Sequence, residues 1–179
     1  MLTGHVFIAT TLDGYIARRD GEIDWLMNRN SPGEGEDHGY HSFMADVDGI
    51  IMGRGTYEKV LSFPKWPYAG KVVVLTRSLF ETDLPQKLRG KVSFSSEEPV
   101  ALFQRLSGEG WRRAYVDGGK VIQSFLRAGL IEDMVITKIP VLIGAGLPLF
   151  GIVDTDILLK HVKTNSFPSG LVQSKYAVA

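Results

Sequence analysis

Short runs of apolar residues alternate, along most of this chain, with segments in which apolar residues recur at helical spacing. The compact runs are rich in β-forming residues and predict β-strands at residues 5–10, 49–52, 71–76, 91–95, 114–116 and 133–143. Helical spacing predicts helices at residues 40–47, 56–62, 99–107 and from the Gly118-Gly119 pair to the neighbourhood of Ala128. Strands that alternate with helices predict an α/β fold.

Two segments depart from this alternation. Residues 18–36 are polar and glycine-rich and predict a long loop, in which Trp25 is one of few apolar anchors. Near the C-terminus, apolar and polar residues alternate on both sides of the sequence PSG at residues 168–170, which predicts a terminal β-hairpin. Because no linker or repeat interrupts the pattern, we predict a single domain over residues 1–179.

The composition is that of an ordinary globular protein and excludes several kinds of site. Of the 179 residues, 44% are hydrophobic and 22% are charged, and 20 basic side chains balance 20 acidic ones. A balanced charge provides no global field that attracts nucleic acid or anionic membranes, so any anion site must be local. The absence of cysteine excludes disulfides, thiolate zinc sites and cysteine nucleophiles, and it suits a cytoplasmic protein. The apolar runs are shorter than a membrane helix, and the N-terminus lacks the pattern of a signal peptide.

Two predicted strands lead into helices through glycine-containing turns that are suited to an anion. They are MGRGTY at residues 52–57 and DGGKVI at residues 117–122. Such a turn leaves the first amides of the helix unpaired, and glycine lets a ligand oxygen approach them. Tight turning alone explains a single turn of this kind, whereas two in one small domain favour a ligand with two or more phosphates. Neither turn matches GxGxxG or a phosphate-binding loop that ends in GK[ST].

A third feature is the polar end of the predicted strand at residues 71–76. The sequence VVVLTRS places Thr76, Arg77 and Ser78 at the carboxyl end of a buried strand, where α/β sheets bind ligands. An arginine between two hydroxyl groups suits a phosphate monoester through its forked donors and its charge. The alternative is that Arg77 is only a solvated charge in a turn.

The motifs IIMGRGTYE, VVVLTRS, YVDGGKVIQSFL and ITKIPVLIGAGLPLF, in this order and spacing, resemble the dihydrofolate-reductase-like fold. TTLDGYIA near the start, IGAGLPLF and the terminal SFPSGLVQSKYAV are typical of the branch that includes the reductase domain of the bifunctional riboflavin-biosynthesis enzyme. The resemblance covers nearly all of the chain, residues 5–178. It implies a central mixed, mostly parallel sheet that is flanked by helices and extended by the C-terminal hairpin.

The resemblance also implies that the chain binds NADPH. The two glycine turns match positions that hold the pyrophosphate, and the end of the VVVLT strand matches positions that take the adenosine 2′-phosphate, with help from Arg54. Ala9 and Ile16 match positions that pack against and orient the nicotinamide. The implied cofactor-binding residues are Ala9, Ile16, Gly53, Arg54, Gly55, Thr56, Leu75, Thr76, Arg77, Ser78, Gly118, Gly119, Lys120, Val121 and Ile122.

Asp37 is the predicted catalytic acid. It lies as far before the MGR turn as the active-site acid of dihydrofolate reductases does, and a carboxyl group with a raised pKa in an apolar cleft is the usual proton source for such a reduction. The alternative is that Asp37 caps the following helix. His38 and His41 are further candidate proton donors, although loop histidines are commonly only solvated.

Asp13, Trp25 and Thr137 are the predicted substrate-pocket residues. Thr137 matches the threonine that supports the acid and the pterin in dihydrofolate reductases. Asp13 lies within reach of a substrate, or it serves only an Asp-Gly turn. Trp25 either covers the pocket as an aromatic lid or fills the core.

Two departures separate the chain from its relatives. Only Lys71 precedes the VVVLT strand, where dihydrofolate reductases commonly carry an arginine that binds the folate glutamate. The zinc deaminase that is fused to the riboflavin-pathway reductase has a cysteine signature that is absent here.

These features together predict an NADPH-dependent reductase of a small heterocyclic substrate that needs no metal and resembles 5-amino-6-(5-phosphoribosylamino)uracil reductase. The alternatives are dihydrofolate reduction, a non-catalytic NADPH-binding module, and glycine turns that serve only the fold. Members of the branch usually dimerise, so we expect a homodimer, with residues 141–151 as a candidate contact.

Overall fold

The computed structural model describes residues 1–27 and 36–179. The strands of the described residues are β1 (Thr3–Thr11), β2 (Tyr15–Ala17), β3 (Gly49–Gly53), β4 (Lys71–Leu75), β5 (Val92–Ser95), β6 (Arg113–Asp117), β7 (Ile131–Ile139), β8 (Leu147–Pro148), β9 (Leu159–Ser166) and β10 (Val172–Val178). The helices are α1 (Asp24–Met27), α2 (Tyr40–Ala45), α3 (Arg54–Leu61), α4 (Pro99–Gly108) and α5 (Gly119–Arg127). Two short 3-10 turns lie at Glu81–Asp83 and Gln86–Leu88.

Eight of these strands form one mixed, mostly parallel sheet in the order β5-β4-β3-β6-β1-β7-β10-β9. The strands from β5 to β7 pair in parallel, whereas β10 is antiparallel to both β7 and β9. The α/β fold and the terminal hairpin are therefore confirmed. Because the parallel strands share one direction, their carboxyl ends lie along one edge of the sheet, and both glycine turns lie on that edge.

Helices cover both faces of the parallel part of the sheet. On one face α4 and α5 pack against the sheet through buried residues such as Phe103 and Phe125. On the other face α3 packs through Tyr57 and Val60, and α2 packs through the partly buried Phe43. Burial on both faces explains why the central strands read as continuous apolar runs.

The strand predicted at residues 133–143 was wrong at both ends. β7 begins at Ile131 and ends at Ile139, directly before Pro140. Proline has no amide hydrogen to donate to a neighbouring strand, and the chain turns there, with the Val141 amide donating to the Ile139 carbonyl at 2.8 Å. The apolar residues that follow Pro140 therefore belong to a loop.

The loop predicted at residues 18–36 contains the short helix α1, and residues 28–35 of it lie outside the described part of the chain. A second, two-stranded sheet pairs β2 with β8, which joins Tyr15 to Pro148. The sequence pattern did not predict this pairing because two or three residues carry no periodicity. None of the described helices has both the length and the apolar content to cross a membrane.

Candidate active site

The sheet opens between β1 and β6 at its carboxyl edge. The β1–β6 pairing runs only from Thr3↔Arg113 to His5↔Tyr115, whereas β1 stays paired with β7 as far as Thr11 and β6 stays paired with β3 as far as Asp117. The Tyr115 hydroxyl donates to the Phe7 carbonyl at 2.9 Å, across the gap that results. A crevice at the carboxyl ends of strands is where open α/β sheets bind ligands.

The two glycine turns lie side by side next to this crevice, because β3 and β6 are neighbours in the sheet. A Cβ atom at Gly118 would lie 2.5 Å from Thr56 Oγ1, and one at Gly53 would lie 3.1 Å from Val121 Cγ2. Gly118 also has a φ of 89°, which side chains rarely adopt. The structure therefore brings the first amides of α3 and α5 together, as an extended anion requires.

Arg54 lies among hydroxyl groups at the ends of β3 and β4. Its Nη1 donates to Ser78 Oγ at 2.8 Å, and Ser78 Oγ lies 3.4 Å from Thr76 Oγ1. Its Nε donates to Glu58 at 2.6 Å, which orients the guanidinium. A cation beside two hydroxyls has the chemistry of a phosphate monoester site.

Arg77 does not join this group. Its Nη2 donates to Glu98 Oε1 at 2.6 Å, and both side chains are mostly exposed. The remaining predicted residues nearby take ordinary positions: Leu75 and Val121 pack into the core, Ile122 is fully buried, and Gly55 and Lys120 are exposed. Val121 and Ile122 are buried in the first turn of α5, so this turn offers a ligand only its backbone amides and the exposed Lys120.

Ile16 and Ala9 line the other side of the crevice. A Cβ atom at Gly119 would lie 2.9 Å from Ile16 Cδ1 and 3.0 Å from the Pro148 carbonyl oxygen, so the β2–β8 sheet lies directly on the second glycine turn. Ala9 pairs with Thr137 of β7 near the carboxyl end of β1. Contact of either residue with a bound ring stays a prediction.

Asp117 is a candidate functional residue that the sequence interpretation missed, because it was taken only as the start of the DGG turn. It ends β6 at the crevice, and Asp117 Oδ1 accepts the Gly118 amide at 2.8 Å. Desolvation raises the pKa of its carboxyl group to about 6. Tyr40, Tyr68 and Tyr115 lie near enough to interact with its charge: burial, followed by the negative charge of Asp117, raises the pKa of each tyrosine, that of Tyr40 to about 12.

Thr137 belongs to a hydrogen-bonded group beside Ala9. Gln173 Nε2 donates to Thr137 Oγ1 at 3.0 Å and to the His38 carbonyl at 3.1 Å. His38 has a φ of 51°, and its ring lies edge-on to Phe167 with centroids 4.5 Å apart. Among the described residues its buried Nδ1 has no hydrogen-bond partner.

Asp37 accepts hydrogen bonds at the start of α2, as the capping alternative predicts. Its carboxylate accepts the amides of His41 and Gly39 at 2.7 and 3.0 Å and the His41 ring nitrogen at 2.6 Å, at the start of α2. These hydrogen bonds, the His41 amide first, lower the pKa of Asp37 to about 2. The expected raised pKa was therefore wrong, because donors favour the ionised form of a carboxyl group.

Trp25 and Asp13 both hold the structure around the crevice. Trp25 is 7% exposed and packs with Ile139 and Leu171, as the core alternative predicts. Asp13 accepts the amides of Ile143 and Gly144 at 3.2 and 2.8 Å, so its carboxylate fastens the loop that follows β7. Contact of either residue with a substrate stays a prediction.

Comparison with known proteins gives consistent matches. A family model described as the RibD C-terminal domain matches residues 3–173. The chain is 37% identical to the uncharacterized protein YwjB of Bacillus subtilis (strain 168) over 166 residues, which cover 90% of each protein.

Two solved structures extend these matches. A protein of Shewanella sp. PV-4 that is provisionally assigned to riboflavin biosynthesis superposes with a TM-score of 0.92 at 39% identity, covering 99% of each chain. The diaminohydroxyphosphoribosylaminopyrimidine deaminase/5-amino-6-(5-phosphoribosylamino)uracil reductase of Thermotoga maritima superposes with a TM-score of 0.76 at 16% identity, over 99% of this chain and 57% of that one. At such low identity the second match shows the fold alone.

Proposed function

The chain belongs to the RibD C-terminal domain family, and on that basis we propose that it is an NADPH-dependent reductase of a small, flat nitrogen heterocycle or its ribosylamine relative. The observation that carries the proposal is the opening of the sheet between β1 and β6 directly beside two adjacent glycine turns. In this proposal a flat ring would lie between the strands while its phosphates would reach the amides of α3 and α5.

The residues around the crevice fit NADPH. Neighbouring atoms already occupy the Cβ positions of Gly118 and Gly119, so glycine is needed for these segments to pack this closely, and the amides of this turn would receive the pyrophosphate. Arg54, Ser78 and Thr76 would hold the 2′-phosphate, one strand away from the amides. Ile16 and Ala9 would pack against the nicotinamide.

Bound NADPH would supply a hydride, and the chain would supply a proton. Asp117, with a pKa of about 6, retains a proton in part near neutral pH and lies at the mouth of the crevice. Phe7, Tyr40 and Phe43 contact one another edge-on or tilted on the same face of the sheet, where they would exclude water from a bound ring. We propose Asp117 as the proton source in place of Asp37.

The substrate class is supported by the family. The name of the Thermotoga maritima protein specifies reduction of 5-amino-6-(5-phosphoribosylamino)uracil, and we extend to this chain only the class of aminopyrimidine or related heterocycle. Dihydrofolate is the second candidate, favoured by the Thr137–Gln173 hydrogen bond beside Ala9. Turnover of dihydrofolate at ordinary enzyme rates would establish it over the first candidate, whereas NADPH binding without oxidation by any pteridine, pyrimidine or flavin acceptor would leave a binding module.

The cofactor is tested by titrating the protein with NADPH and with NADH. We expect NADPH to bind more tightly, and Arg54→Glu to weaken NADPH binding about tenfold or more while NADH binding changes little. Arg77→Glu is the matched comparison and should have the smaller effect, since Arg77 pairs with Glu98. A wild-type protein that binds neither nucleotide would overturn the proposal. A larger effect of Arg77→Glu than of Arg54→Glu would indicate that the 2′-phosphate binds at Arg77 instead.

We also propose that the protein forms a homodimer. All eight residues of the edge strand β9 are exposed. Large apolar side chains are exposed around it and within residues 141–151, namely Leu142, Leu147, Phe150, Ile152, Val153, Leu158, Leu159, Val162 and Val172. An unpaired edge next to exposed apolar residues is typical of a subunit contact.

A further inference from the structure

Residues 18–24 form a loop, here called the clasp loop, whose hydrogen bonds are mainly internal. Arg18 donates through Nε and Nη2 to both carboxylate oxygens of Asp24, at 2.6 and 2.9 Å. The Arg18 amide donates to the Glu22 carbonyl at 2.8 Å, and the Gly21 amide donates to the Arg18 carbonyl at 3.0 Å. These bonds close the base and the tip of the loop, so it can move as one unit.

One ion pair joins the tip of the clasp loop to α3. Lys59 Nζ lies 2.9 and 2.8 Å from the two carboxylate oxygens of Glu22. The Lys59 side chain is 27% exposed and that of Glu22 is 56% exposed. Among the hydrogen bonds and ion pairs of the described residues, this is the one that links the clasp loop to α3.

The sheet order places this contact across the crevice. The clasp loop follows β2, whose Ile16 lies on Gly119, whereas α3 follows β3. Since β6 lies between β1 and β3 in the sheet, the strand order implies that a bridge from Glu22 to Lys59 would cross the carboxyl end of β6, where Gly118 and Gly119 turn into α5. Lys59 lies one turn along α3 from Thr56, whose hydroxyl lies against Gly118.

We propose that the Glu22–Lys59 ion pair is a latch that holds the clasp loop across the glycine turns and slows the release of the dinucleotide bound there. The proposal rests on the proposed function, because the released ligand is NADPH. A nucleotide under the loop can leave only after the tip separates from α3, and the bonds within the loop need not break for this to happen. Trp25, buried directly after the loop, keeps its far end anchored while the tip moves.

The physical size of the effect follows from the exposure of the pair. An exposed ion pair contributes modestly and is screened by salt, so we expect its loss to accelerate NADPH release about two- to fivefold, and less at high ionic strength. An effect on release with little effect on association would be typical of a latch.

The release test measures NADPH dissociation by stopped-flow displacement in the wild type, Glu22→Gln, Lys59→Met and the charge-exchanged double variant Glu22→Lys with Lys59→Glu. Both single variants should release NADPH faster, and the exchanged pair should return toward the wild-type rate. Glu109→Gln is the control, since it breaks an exposed pair with Arg105 on α4 and should leave the rate unchanged.

A second measurement follows the loop without nucleotide. The chain has no cysteine, so Arg19→Cys with Leu61→Cys accepts a spin label at the loop and one on α3. Adding Lys59→Met should lengthen and broaden the distance distribution between the labels. Unchanged distances, or an unchanged release rate in a protein that binds NADPH, would overturn the latch alone. If the wild type does not bind NADPH, the proposed function fails together with any role of the latch in release.

Discussion

The position of Asp117 in the fold makes ionisation of its carboxyl group unfavourable. Its pKa is raised from 3.8 to about 6, chiefly because the surrounding protein replaces water. The folded protein therefore holds a proton on Asp117 that the unfolded chain has already lost between these two values. Raising the pH across this window lowers the free energy of unfolding, because Asp117 loses its proton readily in the unfolded chain and less readily in the folded protein.

Asp117→Asn should remove this dependence. We expect the variant to gain stability relative to the wild type as the pH rises from about 4 to about 6, by about 1 to 2 kcal/mol, a value reduced because part of the side chain contacts water. Urea denaturation of both proteins from pH 4.5 to pH 8 measures the difference. If Asp117 is also the proton source, NADPH oxidation by the variant should be slow at every pH.

Asp48→Asn is a control for which the pH dependence of stability should have the opposite sign. The Asp48 carboxylate accepts the amides of Arg112 and Arg113 at 2.6 and 2.9 Å, and these bonds lower its pKa. Its stabilising contribution is present above the ordinary carboxyl pKa and is lost as the pH falls. Parallel pH profiles for the two variants would contradict the raised pKa of Asp117.

At the scale of elements, two loops at the carboxyl edge of the sheet hold each other in place. Asp13 follows β1 and accepts the amides of Ile143 and Gly144 in the loop after β7. The Leu12 amide donates to the Val141 carbonyl at 2.9 Å, and the Leu149 amide donates to the Gly14 carbonyl at 3.1 Å. This arrangement supports the small β2–β8 sheet that covers Gly119.

Asp13→Ala should loosen this edge without unfolding the protein. We expect faster amide hydrogen exchange at Ile143 and Gly144, with a modest loss of stability near neutral pH. A hydrogen bond from the Thr11 side chain, followed by those from backbone amides, lowers the pKa of Asp13, so the stability difference from wild type should shrink as the pH falls and the carboxylate is protonated. Glu132→Ala, at an exposed position of β7, is the control and should leave exchange in the loop unchanged.

For the whole molecule, the C-terminal hairpin completes the sheet and leaves the edge strand β9 exposed beside apolar side chains. Wild-type protein should sediment as a dimer, and Ile152→Lys with Leu158→Lys should shift it to a monomer with unchanged circular dichroism, because charges on an apolar contact oppose its burial. Both positions are among the most exposed apolar residues, at 87% and 71%.

Val100→Lys is the matched control for the dimer contact, since Val100 is an exposed apolar residue of α4. It should leave the sedimentation coefficient unchanged. A monomeric wild type would contradict the dimer. If the variant with both lysines remained a dimer, the subunit contact would have to lie on another surface.

Local signals were sufficient for most of the architecture. The apolar runs of β3 and β4 and the amphipathic spacing of α4 and α5 identify their elements because neighbours in sequence decide burial there. The same holds for the glycine turns and for the terminal hairpin. The end of β7 was misplaced because apolar residues continue beyond Pro140. The apolar pattern does not show that proline lacks the amide hydrogen that a strand needs.

The sequence by itself therefore determined the fold class, the family and the two glycine turns that we propose bind an anion, since each depends on short stretches whose chemistry is local. Only the tertiary structure decided which partners each charged group near the crevice has. Arg54 rather than Arg77 lies among the hydroxyls, and Asp117 rather than Asp37 has a raised pKa. The physical reason is that a side chain's partners and its access to water are set by segments far away in sequence, such as Glu98 beside Arg77 and Tyr40 beside Asp117.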